Sequence, residues 1–373
     1  MGGKMSKASL LLVGGRLDPY PPFNEANKIS TLLLARQLAG LGVQIWVLGL
    51  SDNLRPLFRL EREQEITYVV LNRRRLPRGH LRDRLLRVLI DGLRLALRSD
   101  VVCFFDMYFC PRLTRGRRWL WVATHHFFEE KESIDERTLI FAENPILYQR
   151  AREWYPRNPM RLRYPGVDLA HFRPKPSNSL GNPVRFLFAS SPLPEHATVE
   201  REEVILQNRG VHTLLKISDC LAQHIPIETV LLWRKDPTYI RSLLPKTGVV
   251  RVVDDFISDM STYMEAFDFG FCLFWDRLHV KGVPQSMMEC LAKGLPVVTF
   301  RGTSYGELVE RYQAGVTVND PVTDEDIQTL LEACSDIERY QRLSEGAVQC
   351  AQECFDIRRE AQEILALLQG VEE

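Results

Sequence analysis

Lys281-Gly-Val-Pro-Gln-Ser-Met-Met-Glu289-Cys-Leu-Ala-Lys-Gly294-Leu-Pro296-Val-Val298 is the most informative stretch of this 373-residue chain. Pro284 stands at the entry to a helix whose first exposed amides fall near Gln285, Ser286 and Met287, and Gly294 ends that helix before a buried strand. With the apolar run Asp268 to Trp275 ahead of it, the segment is a strand, loop, short helix, strand unit. A helix N-terminus has unpaired N–H groups and a partial positive charge, which suits a diphosphate. Glu289, one turn further in, can accept hydrogen bonds from vicinal hydroxyls such as those of a ribose. An ordinary helix framed by Pro and Gly has the same pattern.

Outward from this unit, strand-like runs recur at Arg185 to Ala189, Glu228 to Trp233, Val249 to Val253 and Pro296 to Phe300, with helical patterns between them. The first half opens in the same style. A strand, Leu10 to Val13, breaks at Gly14-Gly15 and enters a loop through Pro19, Pro21 and Pro22. A helix follows, with Ile29, Leu32, Leu33, Leu34, Leu38 and Leu41 on its apolar face, and Gly42 ends it before the buried strand Gln44 to Leu50. Such a crossover implies parallel pairing in an α/β sheet. Further strands are expected at Ile66 to Leu71, Asp100 to Phe105 and Trp119 to Thr124.

Phe172 to Pro183, dense in Pro, Ser, Asn and Gly, is the expected interdomain linker. The expected fold is therefore α/β with two Rossmann-like domains facing each other across a cleft. Residues 1–175 form one domain, and residues 176–355 form the other. Ligands of open α/β sheets bind at the carboxyl ends of the strands.

A hydrophobic fraction of 45% and a charged fraction of 26% are those of a globular protein and argue against disorder. No apolar run approaches the roughly 20 residues that span a bilayer, and Met1 to Ser9 lacks the regions of a signal peptide. A cytoplasmic protein with reduced cysteines is expected. Cys350 and Cys354 lie one helical turn apart, but no second close pair completes a zinc set, and no metal is expected. The formal net charge of zero conceals an asymmetry: residues 1–176 carry 30 Lys and Arg against 18 Asp and Glu, and the remainder carries 18 against 30. Much of the positive excess falls between Arg73 and Arg98, interleaved with Leu76, Leu81, Leu85, Leu86, Val88, Leu89, Leu93 and Leu97. That is an amphipathic basic segment, either a solvated face or a surface for an anionic membrane or acceptor. Without stacking aromatics or a groove-reading motif, nucleic acid is not the expected partner.

At Lys281 to Val298 the sequence resembles the GT4-like retaining glycosyltransferases of the GT-B fold, whose donor loop has a Glu, seven residues, a second Glu and a Gly-x-Pro-Val after the helix. Tyr164-Pro-Gly-Val-Asp168-Leu-Ala-His-Phe172-Arg-Pro174 is similar to the family's interdomain hallmark. Arg209-Gly-Val-His-Thr-Leu-Leu215 is similar to its phosphate motif, and Val252 to Phe274 to its base-binding segment. Thr124-His125-His126 falls where the family places an active-site histidine. The last helix, Ile357 to Leu368, is implied to pack back across the cleft, so that 356–373 completes the domain of residues 1–175.

The resemblance implies a metal-independent transferase that moves a sugar, with retention, from a nucleotide-sugar donor, a UDP-sugar being favoured, to an acceptor hydroxyl. No cofactor is implied beyond this co-substrate. His125, Arg209 and Lys281 are the implied catalytic residues. Gly15, Ser191, Arg209, Phe256, Gly282, Val283, Pro284, Gln285, Ser286 and Glu289 are implied to contact the donor, and Asn24, Glu25 and His126 the acceptor. Arg209 and the helix N-terminus would stabilise charge on the departing diphosphate. His126 is an alternative to His125, and Gly14-Gly15 is equally readable as a plain turn. Two positions depart from the family. Lys281 replaces the first glutamate, with Asp276 as an alternative occupant of its place, and Ser190-Ser191 replaces a Gly-Arg, followed by an acidic insertion at Glu195, Glu200, Glu202 and Glu203. A catalytically silent GT-B protein that binds a nucleotide sugar or a partner, and a GT-B nucleotide-sugar epimerase, are the alternative readings.

Overall fold

The computed structural model describes residues 8–15, 17–19, 26–52, 54–99, 101–105, 116–123, 133–176, 179–189, 198–233, 238–275 and 282–370. Contacts divide the chain into two units, 1–166 with 357–373, and 167–356.

Unit 1 contains β1 (Ser9–Gly14), α1 (Ala26–Gly40), β2 (Gln44–Ser51), β3 (Phe58–Glu63), β4 (Ile66–Asn72), α2 (His80–Leu97), β5 (Val101–Phe105), β6 (Arg117–Val122), β7 (Leu139–Ala142), α3 (Pro145–Trp154) and β8 (Met160–Leu162). Its eight-stranded sheet has the order β3-β4-β2-β1-β5-β6-β7-β8. Only β3 runs antiparallel, paired with β4. Leu10 to Val13 of β1 are buried, as expected where helices cover both faces of a parallel sheet. At the end of α1, Gly42 takes φ +85°, the left-handed conformation open to glycine. There the Gly42 and Val43 amides donate to Ala39 and Leu38 carbonyls, closing the helix. Leu41, expected on the apolar face, lies past the helix and is exposed.

Unit 2 contains β9 (Val184–Ala189), α4 (Val199–Asn208), α5 (Val211–Ala222), β10 (Ile227–Leu232), α6 (Thr238–Ser242), β11 (Val250–Val253), α7 (Met260–Met264), β12 (Phe269–Phe271), α8 (Gln285–Ala292), β13 (Val297–Phe300), α9 (Ser304–Tyr312), β14 (Gly315–Val318), α10 (Asp324–Ser335) and α11 (Ile337–Cys354). Its six strands, in the order β11-β10-β9-β12-β13-β14, are all parallel. Ranked by position in the sequence this is 3-2-1-4-5-6, the doubly wound order of nucleotide-binding sheets. Phe186, Phe188, Phe269, Phe271 and Phe300 fill its core, with Phe186 stacked between Phe269 and Phe271.

The chain crosses between units at 166/167 and 356/357, upstream of the linker expected at Phe172 to Pro183. The described part of that stretch is strapped to unit 2. Asp268, buried ahead of β12, accepts from Lys175 Nζ at 3.5 Å, the Gly181 amide at 3.3 Å and the Arg185 amide at 2.8 Å. Ser261 donates to the His171 carbonyl at 2.7 Å. The last helix, α12 (Ile357–Gln369), belongs to unit 1, where it packs on α1. Arg163 ties it down, donating to Glu363 at 2.9 Å and to the Glu360 carbonyl at 2.7 Å.

Candidate functional site

Because every strand of unit 2 is parallel, all six carboxyl ends share one edge, and the chain reverses its winding between β9 and β12. Ligands of such sheets bind in the crevice at that switch point. The turn from α4 to α5 lies against it. Gly210 has φ +60°, and a Cβ there would lie 2.4 Å from the Leu273 carbonyl oxygen and 2.9 Å from the Phe300 ring. Only glycine lets α5 begin so close to the ends of β12 and β13. The Trp275 amide donates to the Asn208 carbonyl at 3.1 Å and completes the clamp.

This clamp sets Arg209 beside the switch point. Its guanidinium stands 5.9 Å from the Trp233 ring centroid, a cation–π arrangement. Desolvation lowers its pKa to about 10, so it remains a cation at neutral pH. Trp233 directly follows β10 and is buried, and its indole N–H meets no acceptor among the described residues. A buried donor left so costs about 1–3 kcal/mol.

The second element hangs from the same strand, β12. Gly282 and Val283 are buried, and Pro284, with φ −57°, starts α8 without a side-chain cap. The α8 N-terminus therefore presents amides that a ligand could use. Tyr305 OH donates to the Gly282 carbonyl at 3.3 Å and fixes the approach. Gln285 donates from Nε2 to Glu289 Oε1 at 3.0 Å, and its own Oε1 is buried without a partner among the described residues. Ser286 and Glu289 are half-buried at the start and in the second turn of the helix. Phe256 is 61% exposed in the loop after β11, on the same edge but separated from β12 by β10 and β9.

The composition of the sequence gave no reason to single out the frame around these groups. Trp275 stacks on Phe300 with centroids 4.5 Å apart, and its indole donates to Asp320 at 3.1 Å. Thr213 donates to the other Asp320 oxygen at 3.2 Å. Trp233, Trp275 and Asp320 each follow a strand at its carboxyl end, and that position is the signal that could have found them.

In unit 1, Gly15 is buried just past β1. A buried carboxylate, Glu143, follows β7 and accepts from the Trp121 indole at 2.5 Å. It too went unnoticed in the sequence. Asn24, Glu25, His125, His126, Ser191, Asp276 and Lys281 lie outside the described residues.

No protein-family model matches the sequence, and no curated protein matches it. Among solved structures, a glycosyltransferase from Rickettsia africae is 14% identical at a TM-score of 0.71, covering 98% of this chain and 99% of its own. Sucrose-phosphate synthase from Thermosynechococcus elongatus, also 14% identical, has a TM-score of 0.69 over 98% of this chain and 100% of its own. HepE from Anabaena, in complex with UDP and glucose, is 15% identical at 0.63 over 97% and 100%. The fold is GT-B, built from two Rossmann-like units. Among the described residues no helix is long and apolar enough to cross a membrane.

Proposed function

We propose that the chain is a glycosyltransferase that takes its sugar from a nucleotide-sugar donor on unit 2 and passes it to a hydroxyl acceptor on unit 1. One observation carries this reading. At the carboxyl edge of one parallel sheet, a desolvated guanidinium beside Trp233, after β10, and a helix N-terminus without a side-chain cap, after β12, are both held in place. Both favour a diphosphate. The full-length likeness to glycosyltransferases supports the reading, and the UDP and glucose in HepE favour a UDP-sugar.

In this reading Arg209 and the amides of Gln285 and Ser286 stabilise charge on the departing diphosphate, so that no metal is needed. Glu289 exchanges its Gln285 partner for the ribose hydroxyls, and Phe256 offers a ring to the base. His125 or His126 meets the reacting sugar, with Asn24 and Glu25 on the acceptor side, and configuration is retained. Lys281 can only donate to sugar hydroxyls, which favours a donor bearing a carboxylate; if Asp276 fills that place instead, a neutral hexose fits. A silent binding protein is the second reading, favoured by Lys281 and by Ser190-Ser191 where the family has Glu and Gly-Arg.

The test is thermal stability against a panel of UDP-, GDP- and TDP-sugars, followed by donor turnover with and without acceptors. A ligand at 100 times its dissociation constant adds about 2.7 kcal/mol. Stabilisation by one nucleotide class, with turnover, is expected. Stabilisation without turnover supports the silent protein, and no shift with any donor removes the enzyme reading.

A further inference from the structure

Helix α2 carries two apolar stripes, and only one belongs to the core. Leu86, Ile90 and Leu97 are buried, and the helix packs on β1. At about 100° per residue, Leu81, Leu85, Val88 and Leu95 fall on the opposite side, where they are 64%, 43%, 71% and 69% exposed. Single exposed leucines are ordinary. Four apolar side chains aligned along one solvent-facing side of one helix form a continuous strip, with Gly92 completing the row.

Charge borders the strip. Helical spacing places Arg84 and Arg87, with Asp91 between them, along one side and Arg82 on the other, while Arg94 turns towards the buried face. Arg73, Arg74 and Arg75 form a short helical turn ahead of α2, and Arg98 closes its end. From Arg73 to Arg98 the sequence holds nine arginines against two acidic residues, Asp83 and Asp91. Asp83 lies 3.4 Å from Arg82, and Asp52, from the end of β2, lies 2.6 Å from Arg73.

We infer that this side of α2 lies in the interface of an anionic lipid bilayer. Leu81, Leu85, Val88 and Leu95 enter the boundary between headgroups and acyl chains, and the arginines reach lipid phosphates. An apolar strip with a basic border is the amphipathic pattern that such an interface binds. Long arginine stems can keep their charged ends at the headgroups while their methylenes follow the strip. The same charge disfavours a second copy of the chain, because a dimer closed through this strip would bring two arginine rows together. The inference is independent of the donor reading, since it rests on a helix remote in sequence from Arg209 and Glu289.

Co-sedimentation of the full chain with vesicles tests it, using phosphatidylcholine alone or phosphatidylcholine mixed with phosphatidylglycerol. Binding to the mixed vesicles is expected, with little on phosphatidylcholine alone. Screening by about 1 M salt should remove the electrostatic share and leave a smaller apolar remainder. The combined variant L81S/L85S/V88S/L95S, at positions already exposed, should keep the circular dichroism spectrum and lose binding roughly tenfold or more in low salt, together with the high-salt remainder. R84Q/R87Q should weaken only the salt-sensitive share. Equal binding to both vesicle types, or a serine variant that binds like the parent, would overturn the inference. So would a concentration-dependent dimer that the serine variant dissolves, which would give the face to a second copy.

Discussion

The two units use buried charge differently. In unit 2 the ends of one strand have separate tasks. Asp268, at the amino end of β12, gathers Lys175, Gly181 and Arg185 and holds the incoming chain, while the carboxyl end carries the clamp for Arg209 and the approach to α8. Unit 1 has no such division among its described residues. Its buried carboxylates are Glu143, at the carboxyl end of β7, and Glu360, on the returning helix α12. Where stability and ligand chemistry sit at opposite ends of a strand, either can be altered alone. That separation is what substitutions can break or sharpen.

The largest effect is expected from Asp268→Ala. It takes the shared acceptor from half-buried Lys175 and from the Gly181 and Arg185 amides, and breaking such a buried charged cluster costs about 3–5 kcal/mol. Urea unfolding should show that loss, whereas the folded fraction should bind nucleotide as the parent does. A weakened dissociation constant would mean that the two ends of β12 are not independent.

Gly210→Val comes next, since it adds overpacking against Leu273 and Phe300, worth about 1–3 kcal/mol, to an unfavourable φ. Because this residue fixes Arg209, stability and nucleotide affinity should fall together. A variant that unfolds earlier but binds UDP normally would break the link between the clamp and the site.

A third effect, read as a slope against pH and not as a single loss, concerns Glu360 in unit 1. Burial pushes its pKa up to about 7 against an ordinary 4.5, although Arg163 and the Gly166 amide pull it down. Arg163 directs its donors to Glu363 and to a backbone carbonyl, leaving its Nε 3.6 Å from the Glu360 carboxylate. Between about pH 4.5 and 7 the native state keeps a proton that the unfolded chain releases. Stability contributed by this group is therefore lost as pH rises through that window, by at most about 1.4 kcal/mol per unit. Glu360→Gln should flatten the decline in a pH series of melting curves. An unchanged slope would assign the decline to other groups.

Most of unit 2 was legible because strands buried on both faces are written as unbroken apolar runs, and β9, β10, β11 and β13 lie within a residue of the expected segments. The antiparallel edge strand β3, Phe58-Arg-Leu-Glu-Arg-Glu63, escaped because its exposed charges resemble a surface loop. The unit boundary was misplaced for a different reason. Pro, Ser and Asn at 172–183 signal irregular backbone, but composition carries no trace of a buried aspartate nearly a hundred residues later that fastens it. Arg209, Gln285 and Glu289 could be put forward as candidates from the sequence because their motifs are local, at helix starts. Trp233 was hidden because a Trp at the end of an apolar strand looks like core until its unpartnered N–H is located.

Calorimetric titration of UDP into the full chain and its Arg209→Gln variant tests most directly whether the carboxyl edge of unit 2 holds the donor. Removing one charge-assisted contact to a phosphate costs about 1.5–3 kcal/mol. The account predicts a dissociation constant raised by roughly 10- to 100-fold, with the melting temperature of the free protein little changed. Equal affinity for UDP in the two proteins, or no binding to either, would contradict it.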